Sequence, residues 1–148
     1  MYLQIHSFES MEELAKEPLP PHTALISIGD PGAQPPRLSH RPAWSLRLEF
    51  DDVDTDETEA RAKGKYRLFD RGMAEKIAAF VYKHKDEAEL FICQCEYGQS
   101  RSAAAAAAIA EHFDKNGIEI FADERYYPNK RVFAFTLQAL KQKQIYKK

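Results

Sequence analysis

The sequence predicts an α/β fold: a central, mainly parallel sheet flanked by helices, with a cysteine-bearing loop between one strand and one helix. Three observations point there. Short apolar runs alternate with longer segments whose apolar residues recur at helical spacing, the pattern of a sheet built from strand and helix in turn. One such run, Leu90 to Cys93, leads through a tight turn into six consecutive alanines, Ala103 to Ala108, which read as a helix pressed close to a sheet. The length of 148 residues, with 44% apolar and 30% charged residues, suits one domain over 1–148 with a core that needs no covalent staples.

Taken in order, Tyr2 to Phe8 has strand character, and Ser10 followed by Glu13 is a capping-box pattern opening a short helix over Met11 to Lys16. Pro18, Pro20 and Pro21 end it. Thr23 to Ile28 reads as a buried strand closed by the turn Gly29-Asp30-Pro31-Gly32. After a Pro-rich stretch, Trp44, Leu46, Leu48 and Phe50 alternate with polar residues as a further strand. Asp51 to Asp70 is a long connection, and Asp70 caps a helix from Arg71 to about Lys85 whose Met73, Ile77, Phe80 and Val81 share a face. The strand Glu89 to Gln94 precedes the cysteine loop, and the alanine helix stops at Asn116-Gly117. Ile118 to Phe121 is expected as a short strand or extended link. Pro128 is expected in the first turn of a last helix carrying Val132, Phe133, Phe135, Leu137 and Leu140.

Composition narrows the function. A net charge of −2 gives no basis for a nucleic-acid partner or an anionic membrane surface. The lysines at 141, 143, 147 and 148 read as a solvated helix end. No apolar run approaches a membrane span, and the first residues lack a signal-peptide layout. Cys93 and Cys95 are too close along a strand to bridge, so reduced thiols and a cytoplasmic setting are expected. The five histidines show no ligand spacing, so neither metal nor cofactor is expected.

The chemistry lies in Cys95-Glu96-Tyr97-Gly98-Gln99-Ser100-Arg101-Ser102. A thiol at a strand end and an arginine at the following helix start face one centre, where the loop's N–H groups and the helix dipole also converge. Gly98 allows the loop to turn with its amides inward. Arg101 offers a planar fork matched to two phosphoryl oxygens. This environment favours thiolate, which can attack phosphorus in line and form a cysteinyl-phosphate. Residues 96–102 then form the phosphate cradle, with Ser100 and Ser102 bracing it and Ser102 placed to steady the leaving thiolate. The plainer alternative is a helix cap beside a buried cysteine; the agreement of strand, glycine, serines and helix favours the cradle.

The loop resembles the signature Cys-x-x-Gly-x-x-Arg-Ser/Thr of the protein tyrosine phosphatase superfamily, and most closely its dual-specificity branch. Leu48-Glu49-Phe50-Asp51-Asp52 resembles that family's strand leading to the general acid, and Tyr127-Pro128-Asn129 resembles the entry to its last helix. The resemblance covers roughly residues 20–145 and implies hydrolysis of a phosphorylated protein or small molecule without a metal. It places the acid at Asp52, with Asp51, Asp54 and Asp56 on the same segment as alternatives. Two departures stand out. Gln94 precedes the cysteine where the family has histidine, and the interval between acid and cysteine is longer, with its extra residues at Thr58 to Tyr66, a lid or docking segment. Gln94 supports an alternative function, a catalytically weak module that binds phosphate or phosphoprotein. Sulfur or arsenate chemistry on a similar loop is a third reading, disfavoured because it needs no aspartate there.

Overall fold

Four strands, β1 (Tyr2–His6), β2 (Thr23–Gly29), β3 (Trp44–Glu49) and β4 (Leu90–Gln94), pair in parallel throughout, in the order β1–β4–β2–β3. They were located in a computed structural model that describes residues 1–54 and 64–146. The central strands β2 and β4 are buried at every position, which is why their sequences are nearly continuous apolar runs. β3 lies at an edge, and its visible alternation is that of a strand covered more on one face than the other.

The two faces carry different layers. Helix α1 (Phe8–Leu14) covers one, where Met11 and Ala15 meet Leu25, Leu90 and Ile92. On the other face, Ala24, Ile26, Ile28, Leu48, Phe91 and Cys93 form the main core with α2 (Arg71–His84), α3 (Arg101–Asp114) and α5 (Lys130–Tyr146). Ala103 to Ala108 are all fully buried in α3, because only methyl side chains let that helix lie so close to both sheet and α5. Asp70 caps α2 by accepting from the Met73 N–H at 2.8 Å.

Four local expectations are corrected. The first helix begins earlier than Met11, and its capping box uses Ser7 and Ser10: each side-chain oxygen accepts from the other residue's backbone N–H, at 3.0 and 3.1 Å. Glu13 instead pairs with Lys16 on the surface. Ile118–Ala122 is a short helix, α4, whose Phe121 packs edge-on against Phe133 of α5. The alanine helix stops at Lys115, which takes the left-handed conformation (φ 58°) expected of a following glycine. Pro128 lies ahead of α5 rather than in its first turn; Asn129 is the cap, its Oδ1 accepting from the Val132 N–H at 2.9 Å.

Two buried histidines tie this core to pH. His112 Nε2 shares a 2.7 Å hydrogen bond with the Tyr82 hydroxyl, and burial, then Lys115 and Lys141, lower its pKa. His84 stacks on Trp44, and burial, then Lys83, lower its pKa against a smaller opposing effect of Glu87. The unfolded chain therefore binds more protons near the ordinary histidine range than the folded one does. Their contribution to stability is present above about pH 6.5 and is lost as pH falls through the lowered values. The melting temperature is expected to drop between pH 7 and pH 5, and His112→Gln to make that drop shallower; thermal melts of both proteins across this range check it.

Candidate active site

In a parallel sheet every carboxyl end lies on one edge, and four acidic or nucleophilic residues follow strands there: Asp30 after β2, Asp51 and Asp52 after β3, Cys95 after β4. The Cys95 thiol is 2% exposed. Its backbone N–H donates to the His6 carbonyl at 3.2 Å, and the Glu96 carbonyl accepts from the Phe8 N–H at 3.0 Å, so the junction of β1 and α1 backs the loop. Gly98 is required there twice over. Its φ is +67°, and a Cβ would sit 2.6 Å from the Ser7 nitrogen and 2.8 Å from the His6 carbonyl carbon.

The second half of the loop is held by the segment before α5. Tyr127 N–H donates to the Gln99 carbonyl at 2.7 Å, and Asn129 N–H to the Ser100 carbonyl at 3.1 Å. Ser102, in the first turn of α3, brings its Oγ within 3.1 Å of the Cys95 Sγ. Glu96, Tyr97 and Gln99 are exposed, and Tyr97 and Tyr127 stand out at 77% and 72% exposure. Both rings are exposed rather than packed into the buried part of the loop.

Arg101 is nearly buried. Its Nη1 donates to Asp30 Oδ1 at 2.8 Å and to the Phe50 carbonyl at 2.7 Å, while Nε and Nη2 carry no hydrogen bond among the described residues. A guanidinium has five N–H donors. One nitrogen anchors the fork, and the Nε–H and Nη2–H groups remain for an anion. In the sequence Asp30 reads only as part of a turn. Its position directly after a central strand was the signal that marks it. The turn is itself pinned, since Gly32 N–H donates to Glu49 Oε1 at 2.9 Å.

The candidate acids separate clearly. Asp52 Oδ1 accepts from Ser100 Oγ at 2.9 Å and from Asn129 Nδ2 at 2.7 Å, so this carboxylate is fastened to the cradle's rim. Ser100 occupies the cap position of α3 yet makes no side-chain cap bond; its hydroxyl goes to Asp52 instead. Asp51 closes the long connection, its Oδ2 accepting from the Arg67 N–H at 2.8 Å and its own N–H donating to the Arg67 carbonyl at 2.7 Å. Asp54 is exposed, and Asp56 lies outside the described residues, as do residues 58–63 of the lid or docking segment.

Gln94 is buried, its Nε2 donating to the Cys95 carbonyl at 3.0 Å. Cys93, facing the helices, is fully buried, and burial, then Cys95, pushes its thiol up to about 12, so it stays protonated. Among the described residues no group of three His, Cys, Asp or Glu is placed to hold a metal ion, and no helix is long and apolar enough to cross a membrane.

Neither a family model nor any curated protein matches this sequence. Solved structures do. Human DUSP28 is similar at 16% identity and a TM-score of 0.55, covering 97% of this chain and 94% of its own. The PTP-2 phosphatase of Cydia pomonella is similar at 13% identity and a TM-score of 0.58, covering 93% of this chain and 85% of its own. The human tyrosine phosphatase-like serine/threonine/tyrosine-interacting protein is similar at 18% identity and a TM-score of 0.54, covering 99% and 93%. With the parallel sheet, its helical layers and the loop after β4, the chain shares the fold of these phosphatase and phosphatase-like structures.

Proposed function

We propose that this protein is a cysteine-dependent phosphomonoester hydrolase. The Cys95 thiolate attacks phosphorus, forming the S–P bond as the P–O bond to the leaving group breaks. Arg101 and the N–H groups of residues 96–102 bind the phosphoryl oxygens, where charge develops. Asp52 gives its proton to the leaving oxygen. Water then attacks the cysteinyl-phosphate, Asp52 takes the water's proton, and the departing thiolate accepts a hydrogen bond from Ser102. The substrate is a phosphorylated protein or small molecule.

The observation that carries this reading is the fastening of Asp52 to the rim of the loop that holds Cys95. Ser100 and Asn129 both occupy Oδ1, which leaves Oδ2 without a hydrogen bond among the described residues and available for a proton. Asp52→Ala is expected to lower kcat/KM for phenyl phosphate, which reports the steps up to departure of the leaving group, by about 10²–10⁴-fold. The loss should be smaller for p-nitrophenyl phosphate, whose leaving oxygen needs less help from an acid. Equal losses on the two substrates would remove Asp52 from this role.

Gln94 favours a second reading, a phosphate- or phosphoprotein-binding module with weak turnover, because the neutral amide held against the Cys95 carbonyl adds no positive charge to the loop. Tight tungstate binding by a wild-type protein that fails to hydrolyse p-nitrophenyl phosphate would support the module and count against the enzyme.

A further inference from the structure

Gln94, Ser27 and Arg47 form one row across the α1-bearing face of the sheet. Ser27 on β2 is in register with Gln94 on β4 and with Arg47 on β3. Arg47 Nη1 donates to Ser27 Oγ at 2.9 Å, Ser27 Oγ donates to Gln94 Oε1 at 2.6 Å, and Gln94 Nε2 donates to the Cys95 carbonyl at 3.0 Å. The direction of this chain is forced by chemistry. A guanidinium only donates, so the Ser27 oxygen accepts from it and the single hydroxyl hydrogen turns to Gln94. Gln94 must then present its oxygen to Ser27 and its NH₂ to Cys95; the flipped amide would set two oxygens against each other.

We propose that Arg47 is a positioning residue for the cysteine loop, acting through Ser27 and Gln94; the proposal rests on the reading of that loop as a phosphoryl cradle. Holding the Cys95 carbonyl towards Gln94 directs the Glu96 N–H of the same trans peptide the opposite way. The first peptide of the cradle is thereby set before an anion arrives, and preorganised donors bind better than donors that must be turned. The cation at the far end of the row keeps the relay from reversing.

Gly29 gives independent support. A Cβ at that position would collide with Arg47 Nη2 and lie 3.2 Å from Nη1, so the guanidinium takes this path across β2 because residue 29 has no side chain. Nη2 goes on to donate to the Ala33 carbonyl at 3.0 Å, which fixes the far side of the fork. The arginine also borders a cavity of about 230 Å³ beside Leu25, Pro35 and Leu38, so a displaced side chain has room to move without disturbing the core.

The test is a double-mutant cycle read by calorimetric tungstate affinity and by kcat/KM on p-nitrophenyl phosphate. Arg47→Met is expected to weaken tungstate binding about tenfold, the scale of one well-placed hydrogen bond. In a Gln94→Ala background the same substitution should cost less than about twofold, because the relay is already cut. Gly29→Ala, which keeps every polar group, should reproduce the Arg47→Met loss and add nothing to it, while Arg47→Lys restores part of the binding by donating to Ser27. Equal losses from Arg47→Met in both backgrounds would overturn the proposal, as would unchanged tungstate binding in a folded Gly29→Ala protein. Because tungstate binding needs no turnover, the cycle still reads the relay if hydrolysis fails. A wild type that binds no tungstate overturns the relay and the cradle together.

Discussion

Cys95→Ser is expected to lower hydrolysis of p-nitrophenyl phosphate by about 10⁴-fold or more, the scale on which removal of a nucleophile acts, while tungstate still binds. Serine keeps the size of the residue and loses the ionisable sulfur. No base is at hand to activate a hydroxyl, since the group beside the sulfur, at 3.1 Å, is the hydroxyl of Ser102. The cradle survives because the bonds that hold position 95 are backbone ones: the N–H to His6 and the carbonyl from Gln94. Cys93 cannot stand in for it, being fully buried with its thiol pushed up to about 12. Steady-state kinetics and calorimetry on the same preparation separate the two effects. Loss of tungstate binding along with turnover would show that the sulfur holds the loop rather than attacks.

Arg101→Lys is expected to lower kcat/KM by about 10²–10³-fold, the cost of removing one preorganised donor pair from a developing charge. Arg101 does two things with one planar group. Nη1 spends its hydrogens on Asp30 and the Phe50 carbonyl, which locks the plane, and the rest of the fork then faces the anion. An ammonium has no plane to lock, and in a pocket that leaves the side chain 6% exposed its donors go to Asp30 and Phe50 first. Tungstate affinity should fall in step with kcat/KM. A lysine variant that retains both would mean the loop amides alone carry the phosphoryl group.

The thiol, glycine, serines and arginine were legible in sequence because they are contiguous, and a strand before and an alanine helix after left one way to fold them. Asp52 was already placed ahead of Asp51, Asp54 and Asp56 by the resemblance of its segment; what the sequence could not show is that Asp52 reaches Ser100 and Asn129 while Asp51 turns to Arg67. Asp30 was missed because its partner lies 71 residues away and no local pattern announces it. The row through Ser27 and Arg47 was invisible for a stronger reason. It exists only once two strand registers are known, and neither residue carries a motif. Gly29 looked like turn punctuation, whereas its missing Cβ makes room for an arginine from the next strand. Helix ends fared worst: Ser7 rather than Ser10 caps the first helix, Lys115 rather than Asn116-Gly117 ends the alanine helix, and Asn129 caps the last helix with Pro128 outside it.

The central claim is that phosphate passes through the Cys95 sulfur. Wild-type protein mixed with p-nitrophenyl phosphate and denatured within its first turnovers should carry one phosphoryl group on the peptide containing Cys95, by mass spectrometry. The adduct should accumulate further in Asp52→Ala, where the water that discharges it lacks a base, and be absent from Cys95→Ser. Turnover of the substrate with no phosphoryl group on Cys95 at any quench time, or the same adduct in Cys95→Ser, would contradict it.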